Sequence, residues 1–97
     1  WVMMLAAKKQ KEKENEERLA KAMEILNNVA DNATTPRNIR KVVKDIATSL
    51  EDKEFSISVR AANAISTLDD LSQDPNMPSY VRVTLWQAVS VLESIRE

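Results

Sequence analysis

No residue of this chain is glycine, and that absence restricts the fold more than any motif does. Hairpins with an Asn-Gly turn need glycine's tolerance of positive φ, so hairpins of that kind are excluded. Phosphate-cradling loops of the Walker or dinucleotide type depend on the same freedom and are excluded with them. What the sequence offers instead is apolar residues spaced by three and four, the pattern of helices that each bury one face.

Four such helices are predicted. From Arg18 the residues Leu19, Ala22, Met23, Leu26, Val29 and Ala30 form the face of the first. Asp31 to Thr35 break the pattern, with Asn32 the residue best suited to a left-handed conformation after the helix. Thr35 and Pro36 start the second helix, the threonine hydroxyl as acceptor for an orphan backbone donor and the proline in the first helical position. Its face is Ile39, Val42, Val43, Ile46, Ala47 and Leu50. Ser56 caps a third, alanine-rich helix through Ile57, Ala61, Ala64, Ile65, Leu68 and Leu71, with Val59 and Ala62 widening its face. Asp74 to Pro78 is the clearest breaker, because each proline restricts the residue before it. The fourth helix begins at or near Pro78, with Val81, Leu85, Ala88, Val89, Leu92 and Ile95 as its stripe. Tyr80, Val83, Trp86 and Val91 make its apolar surface unusually wide.

A chain of 97 residues with 43% hydrophobic content fits one core. The expected class is all-α, an up-and-down four-helix bundle, because short connections favour antiparallel sequential neighbours. The alternative is a short HEAT-like α-solenoid. It is suggested by Ile39-Arg40, Val59-Arg60 and Val81-Arg82, which recur about every twenty residues. Residues 18–97 are read as this domain and residues 1–17 as a charged N-terminal extension, helical or disordered, in which Lys8 and Glu12 or Lys13 and Glu17 bridge adjacent turns.

Three stretches resemble a known family: Thr-Thr-Pro-Arg-Asn-Ile-Arg at 34–40, Val-Arg-Ala-Ala-Asn-Ala-Ile at 59–65 and Ser-Gln-Asp-Pro-Asn-Met-Pro at 72–78. With Trp86 and the closing Val91-Leu92-Glu93 they are similar to the small archaeal proteins grouped as uncharacterised protein family 0147, over roughly Leu19 to Glu97. The resemblance implies an all-helical bundle and no activity, and carries over no functional residues. The first eighteen residues look like an addition to it, and Ile57 stands where the family often has proline.

The chain has neither Cys nor His, so the commonest general base, the commonest transition-metal ligand and the most reactive nucleophile are all missing. It is expected not to be an enzyme and to need no cofactor or metal. The acidic sets Glu51, Asp52, Glu54 and Asp69, Asp70, Asp74 lack the spacing of a calcium loop and read as surface clusters. Ser49 or Thr48 near Lys44 is ordinary helix-surface spacing. The opening run from Trp1 to Ala7 is too short for a membrane span, and its charges follow rather than precede it, unlike a signal peptide. A cytoplasmic protein with no membrane association is expected.

Function then rests on surfaces. Arg37, Arg40, Lys41 and Lys44 on the second helix form a candidate basic contact patch for phosphates. The competing reading is a solvated face paired with the acidic stretch 51–75, which carries six acidic groups against two basic. Arg40, Arg60 and Arg82 lie in the first turns of helices, where cations oppose the helix dipole. They are therefore expected to pin the bundle, through Asp31, Asp52 and Asp74 or through the carbonyl end of a neighbouring helix. Trp86 and Tyr80 are read mainly as core filling, while outward placement of Tyr80, Val83, Trp86 or Val91 would mark a homodimer or partner surface. Met3, Met4 and Leu5 could add a flexible apolar contact. The leading expectation is a protein-protein interaction or scaffold module, self-associating or bound to another protein. The alternative is a nucleic-acid or ribonucleoprotein accessory using the second helix.

Overall fold

The computed structural model describes residues 2–95, with side chains described from Gln10 to Ile95. Four helices follow in order: α1 (Val2–Asp31), α2 (Arg37–Ser49), α3 (Ile57–Ser72) and α4 (Ser79–Glu93). At 1.5 Å per residue α1 is about 45 Å long and the others about 20–24 Å, so α1 sets the long axis of a 52 × 24 × 21 Å molecule. The side chains of Met3, Met4 and Leu5, and of Lys8 opposite Glu12, lie outside the described residues.

The helices form a closed up-and-down bundle. α1 packs against both α2 and α4, α3 packs against α4 and less extensively against α2, and the α1–α4 interface is the most extensive. A solenoid would hold its first and last helices apart, so this closure rules out the solenoid alternative. The core gathers the predicted faces: Ala22, Leu26 and Val29 from α1, Ile39, Val43, Ile46 and Ala47 from α2 with Leu50 just beyond it, Ala61, Ala64 and Leu68 from α3, and Val81, Leu85, Ala88 and Leu92 from α4. Each fully buried Leu or Ile contributes about 1.5–3 kcal/mol by leaving water. Val59 (43% exposed) and Ala62 do not widen the α3 face; both project away from the core line of Ala61, Ala64 and Leu68.

The three connections share one local construction. Each opens on an Asx residue, Asn32, Asp52 or Asp74, whose side-chain oxygen accepts from the backbone N–H two residues on, at 3.0, 3.0 and 2.9 Å. Its own carbonyl accepts from the N–H three residues on, at Thr35, Phe55 and Met77. The next residue, Pro36, Ser56 or Pro78, is the helix N-cap, and the Arg of the repeated hydrophobic-Arg pair stands four residues later. Among the described residues no backbone φ is positive, so Asn32 turns the chain through its side chain and not through a left-handed conformation. This arrangement reverses the chain three times without glycine.

Two of the expected starts differ in detail. Pro36 is the N-cap of α2 rather than its first residue and supplies no side-chain bond. The Thr35 hydroxyl is buried with no hydrogen-bond partner, so it caps nothing. Ser56 behaves as expected, accepting from the Val59 N–H at 3.4 Å.

Candidate interaction surfaces

No helix carries a basic residue in its own last turn, where unpaired carbonyls and the dipole concentrate negative potential. For three of the four ends a neighbouring helix supplies the cation. Arg60 Nη1 donates to the carbonyl of Leu50, the C-cap of α2, at 2.9 Å. Arg82 donates from Nε to the Ser72 carbonyl at 3.1 Å and from Nη2 to the Asp74 carbonyl at 3.3 Å, tying the end of α3. Arg18 Nη1 donates to the Ser94 carbonyl at 3.0 Å, which joins the C-cap of α4 back to α1. Arg60 and Arg82 are therefore the expected pins, and their partners are backbone carbonyls rather than carboxylates. Arg18 was not singled out by sequence because it sits mid-helix and matches no repeat.

Arg40 departs from the pattern. It is half-buried and its Nε finds no partner among the described residues. It does not join Arg37, Lys41 and Lys44 either: those three, at i, i+4 and i+7, make one exposed line along α2, while Arg40 lies on its flank. Among the described residues no carboxylate pairs with this line, so the expected pairing with residues 51–75 is absent.

The acidic sets are committed elsewhere or dispersed. Asp52 and Asp74 hold the connection turns, and among the described residues no group of three acidic side chains is placed to hold an ion. Thr48 and Ser49 donate their hydroxyl protons to the carbonyls of Lys44 and Ile46, at 3.0 and 2.7 Å, which is ordinary helix behaviour.

The aromatic residues of α4 are not core. Trp86 is 56% exposed, Val83 49% and Tyr80 48%, and among the described residues they account for three of the five large exposed apolar side chains, with Phe55 and Val59. The core reading of Trp86 and Tyr80 fails because Val81, Leu85, Ala88 and Leu92 already fill the inward face of α4. Val91 belongs to the other side of the division, partly buried against the core. The outward stripe runs Ser79, Val83, Trp86, Ser90, Glu93, at helical spacings of three and four, with Tyr80 and Gln87 beside it. Tyr80 is fixed by its hydroxyl, 2.6 Å from Thr34 Oγ1. The Thr34 proton is directed to Asn32 Oδ1 at 2.7 Å, so Tyr80 is the donor to Thr34, and the stripe is held to the first connection.

Sequence reasoning also missed Asn15, which is buried within the charged segment assigned to the extension. Nearby, a cleft of about 830 Å³ is lined by Lys11, Glu12, Asn15, Glu16 and Leu19 of α1 and by Lys53, Ile57 and Arg60. Gaps of four between Asn15, Leu19 and Met23 continue the buried stripe upstream, a signal obscured by the surrounding charges.

Comparison with known proteins gives consistent results. Residues 6–95 match the family described as Uncharacterised protein family (UPF0147). The match begins inside the segment that looked like an addition, so most of that segment is shared with the family. A UPF0147 protein of Metallosphaera sedula is 45% identical over 84 residues, covering 87% of this chain and 94% of that one. One of Aeropyrum pernix is 45% identical, with 87% and 92% covered. The crystal structure of the unknown function protein MMP1188 superposes with a TM-score of 0.81 at 38% identity, covering 84% of this chain and 93% of that one. That of a UPF0147 protein from Thermoplasma acidophilum does so at 0.81 and 30% identity, covering 87% and 99%.

Proposed function

The chain belongs to the uncharacterised protein family UPF0147, and from that premise we propose that it is a cytoplasmic, non-enzymatic interaction module whose contact surface is the outward stripe of α4. The observation that carries this is the exposure of Trp86 beside Val83 on α4. A large aromatic side chain costs little conformational entropy to order and is the residue type most enriched where binding energy concentrates. The lack of His and Cys supports a non-catalytic role, and among the described residues no helix is long and apolar enough to cross a membrane. Affinity purification with wild-type and Trp86→Lys baits tests the reading. A protein, this one included, retained by the wild type and lost by the variant is the expected result. Identical captures by both baits would remove the stripe as the contact surface.

A second reading has its own observation, the exposed line Arg37, Lys41, Lys44 without carboxylate partners. Such a line suits phosphate oxygens, as in a ribonucleoprotein accessory. RNA binding that weakens with salt and disappears in the triple alanine variant supports this reading; absence of binding at low salt ends it.

A further inference from the structure

We propose that the occupant of the α4 stripe is a second copy of this chain, docked with the two α4 helices antiparallel about a two-fold axis at Trp86. The proposal rests on the interaction reading above and adds the partner and its register. Trp86 is the central residue of α4, seven residues from Ser79 and seven from Glu93. An antiparallel pair centred there overlaps the helices along their whole length and sets Trp86 against Trp86, Val83 against the segment 89–90, and Ser79 against Glu93.

The charge pattern fits the same register. Between its ends the stripe is uncharged, through Val83, Trp86 and Ser90 with Tyr80 and Gln87 beside it, in a chain that is 30% charged. A charged face would repel its own copy across a two-fold axis, and this one does not. The one charge on the stripe, Glu93, is at its end. The opposite end of α4 has no acidic residue in its first turn, a proline N-cap with no side-chain bond, and Ser79 and Tyr80 N–H groups without a partner among the described residues. In the antiparallel pair Glu93 of the second copy meets that electropositive terminus, twice by symmetry. The two helix dipoles also oppose each other.

Sedimentation velocity over a wide concentration range tests association, with Trp86→Ala as the variant. Cross-linking tests the register. Cysteines introduced by the double substitution Ser79→Cys and Glu93→Cys are about 21 Å apart within one helix and cannot bond to each other. In the proposed pair each faces its opposite number on the second copy, so mild oxidation yields a covalent dimer. Either single substitution alone leaves the chain monomeric on a denaturing gel. The expected results are a concentration-dependent dimer, a dissociation constant raised at least about tenfold by Trp86→Ala, and cross-linking confined to the double variant. A monomer at every concentration overturns the proposal, as does a dimer indifferent to Trp86 or cross-linked equally by the single variants. A monomer that nonetheless captures a different protein through Trp86 overturns this inference and leaves the interaction reading standing.

Discussion

Arg60 reaches back ten residues to donate to the carbonyl of Leu50 at 2.9 Å, and Arg82 repeats the same ten-residue reach to Ser72 at 3.1 Å. A charge-assisted hydrogen bond to an otherwise bare helix end contributes about 1.5–3 kcal/mol. Replacing either arginine by methionine, which keeps the aliphatic stem, is expected to destabilise the bundle by about that amount. Arg40→Met, which removes no such bond, is expected to cost less than about 1 kcal/mol. Urea unfolding of the three variants checks the contrast, and equal losses at all three positions would contradict it.

Thr35 and Ser56 occupy the two positions that sequence reads as hydroxyl caps, and they should respond oppositely. Ser56→Ala removes a real cap and is expected to cost about 0.5–2 kcal/mol. Thr35→Val replaces a buried hydroxyl without a partner by a methyl of the same shape. It is expected to be neutral or to stabilise by about 1 kcal/mol. With about 4–8 °C of Tm per kcal/mol for a domain of this size, thermal denaturation resolves both. A Thr35→Val variant that melts well below wild type would restore the capping role.

Asp52 and Asp74 act through the acceptor geometry of the side chain and not through charge, since Asn32 does the same work at the first connection. Asp52→Asn and Asp74→Asn should therefore stay within about 0.5 kcal/mol of wild type, while the alanine variants lose about 1 kcal/mol by freeing a turn. Denaturant midpoints separate the two. An asparagine variant as damaging as alanine would show that the carboxylate charge is required.

Much of this architecture was legible because helix faces repeat locally. Leu26, Val43, Leu68 and Leu85 are buried where their three- and four-residue spacings placed them. The connections are half legible: the recurring Arg is visible, and the helix dipole points it either to the side chains of Asp31, Asp52 and Asp74 or to the carbonyl end of a neighbouring helix, but nothing in the sequence chooses between them. The repeated unit begins at Asn32 rather than Asp31, and a backbone carbonyl ten residues upstream carries no residue-specific mark. Trp86 was not legible, because an apolar residue on a broad stripe can face either way until its neighbours have filled the core. Asn15 was hidden by composition, a single buried amide among charged neighbours.

Trp86 and Leu85 are adjacent in sequence and opposite in environment, and that difference gives the sharpest test of the candidate surface. Leu85 is 1% exposed and touches the core, so Leu85→Ala is expected to cost about 2–5 kcal/mol through lost burial and a residual cavity. Trp86→Ala removes a side chain that is 56% exposed, so the folding of a single copy should change by well under 1 kcal/mol. A larger effect that arises from association makes Tm depend on protein concentration. Wild-type Tm should rise across a hundredfold increase in concentration while that of Trp86→Ala stays level, with the two converging at high dilution. If Trp86→Ala instead melts far below wild type at every dilution, the indole belongs to the core of one copy, and the stripe loses its standing as a contact surface.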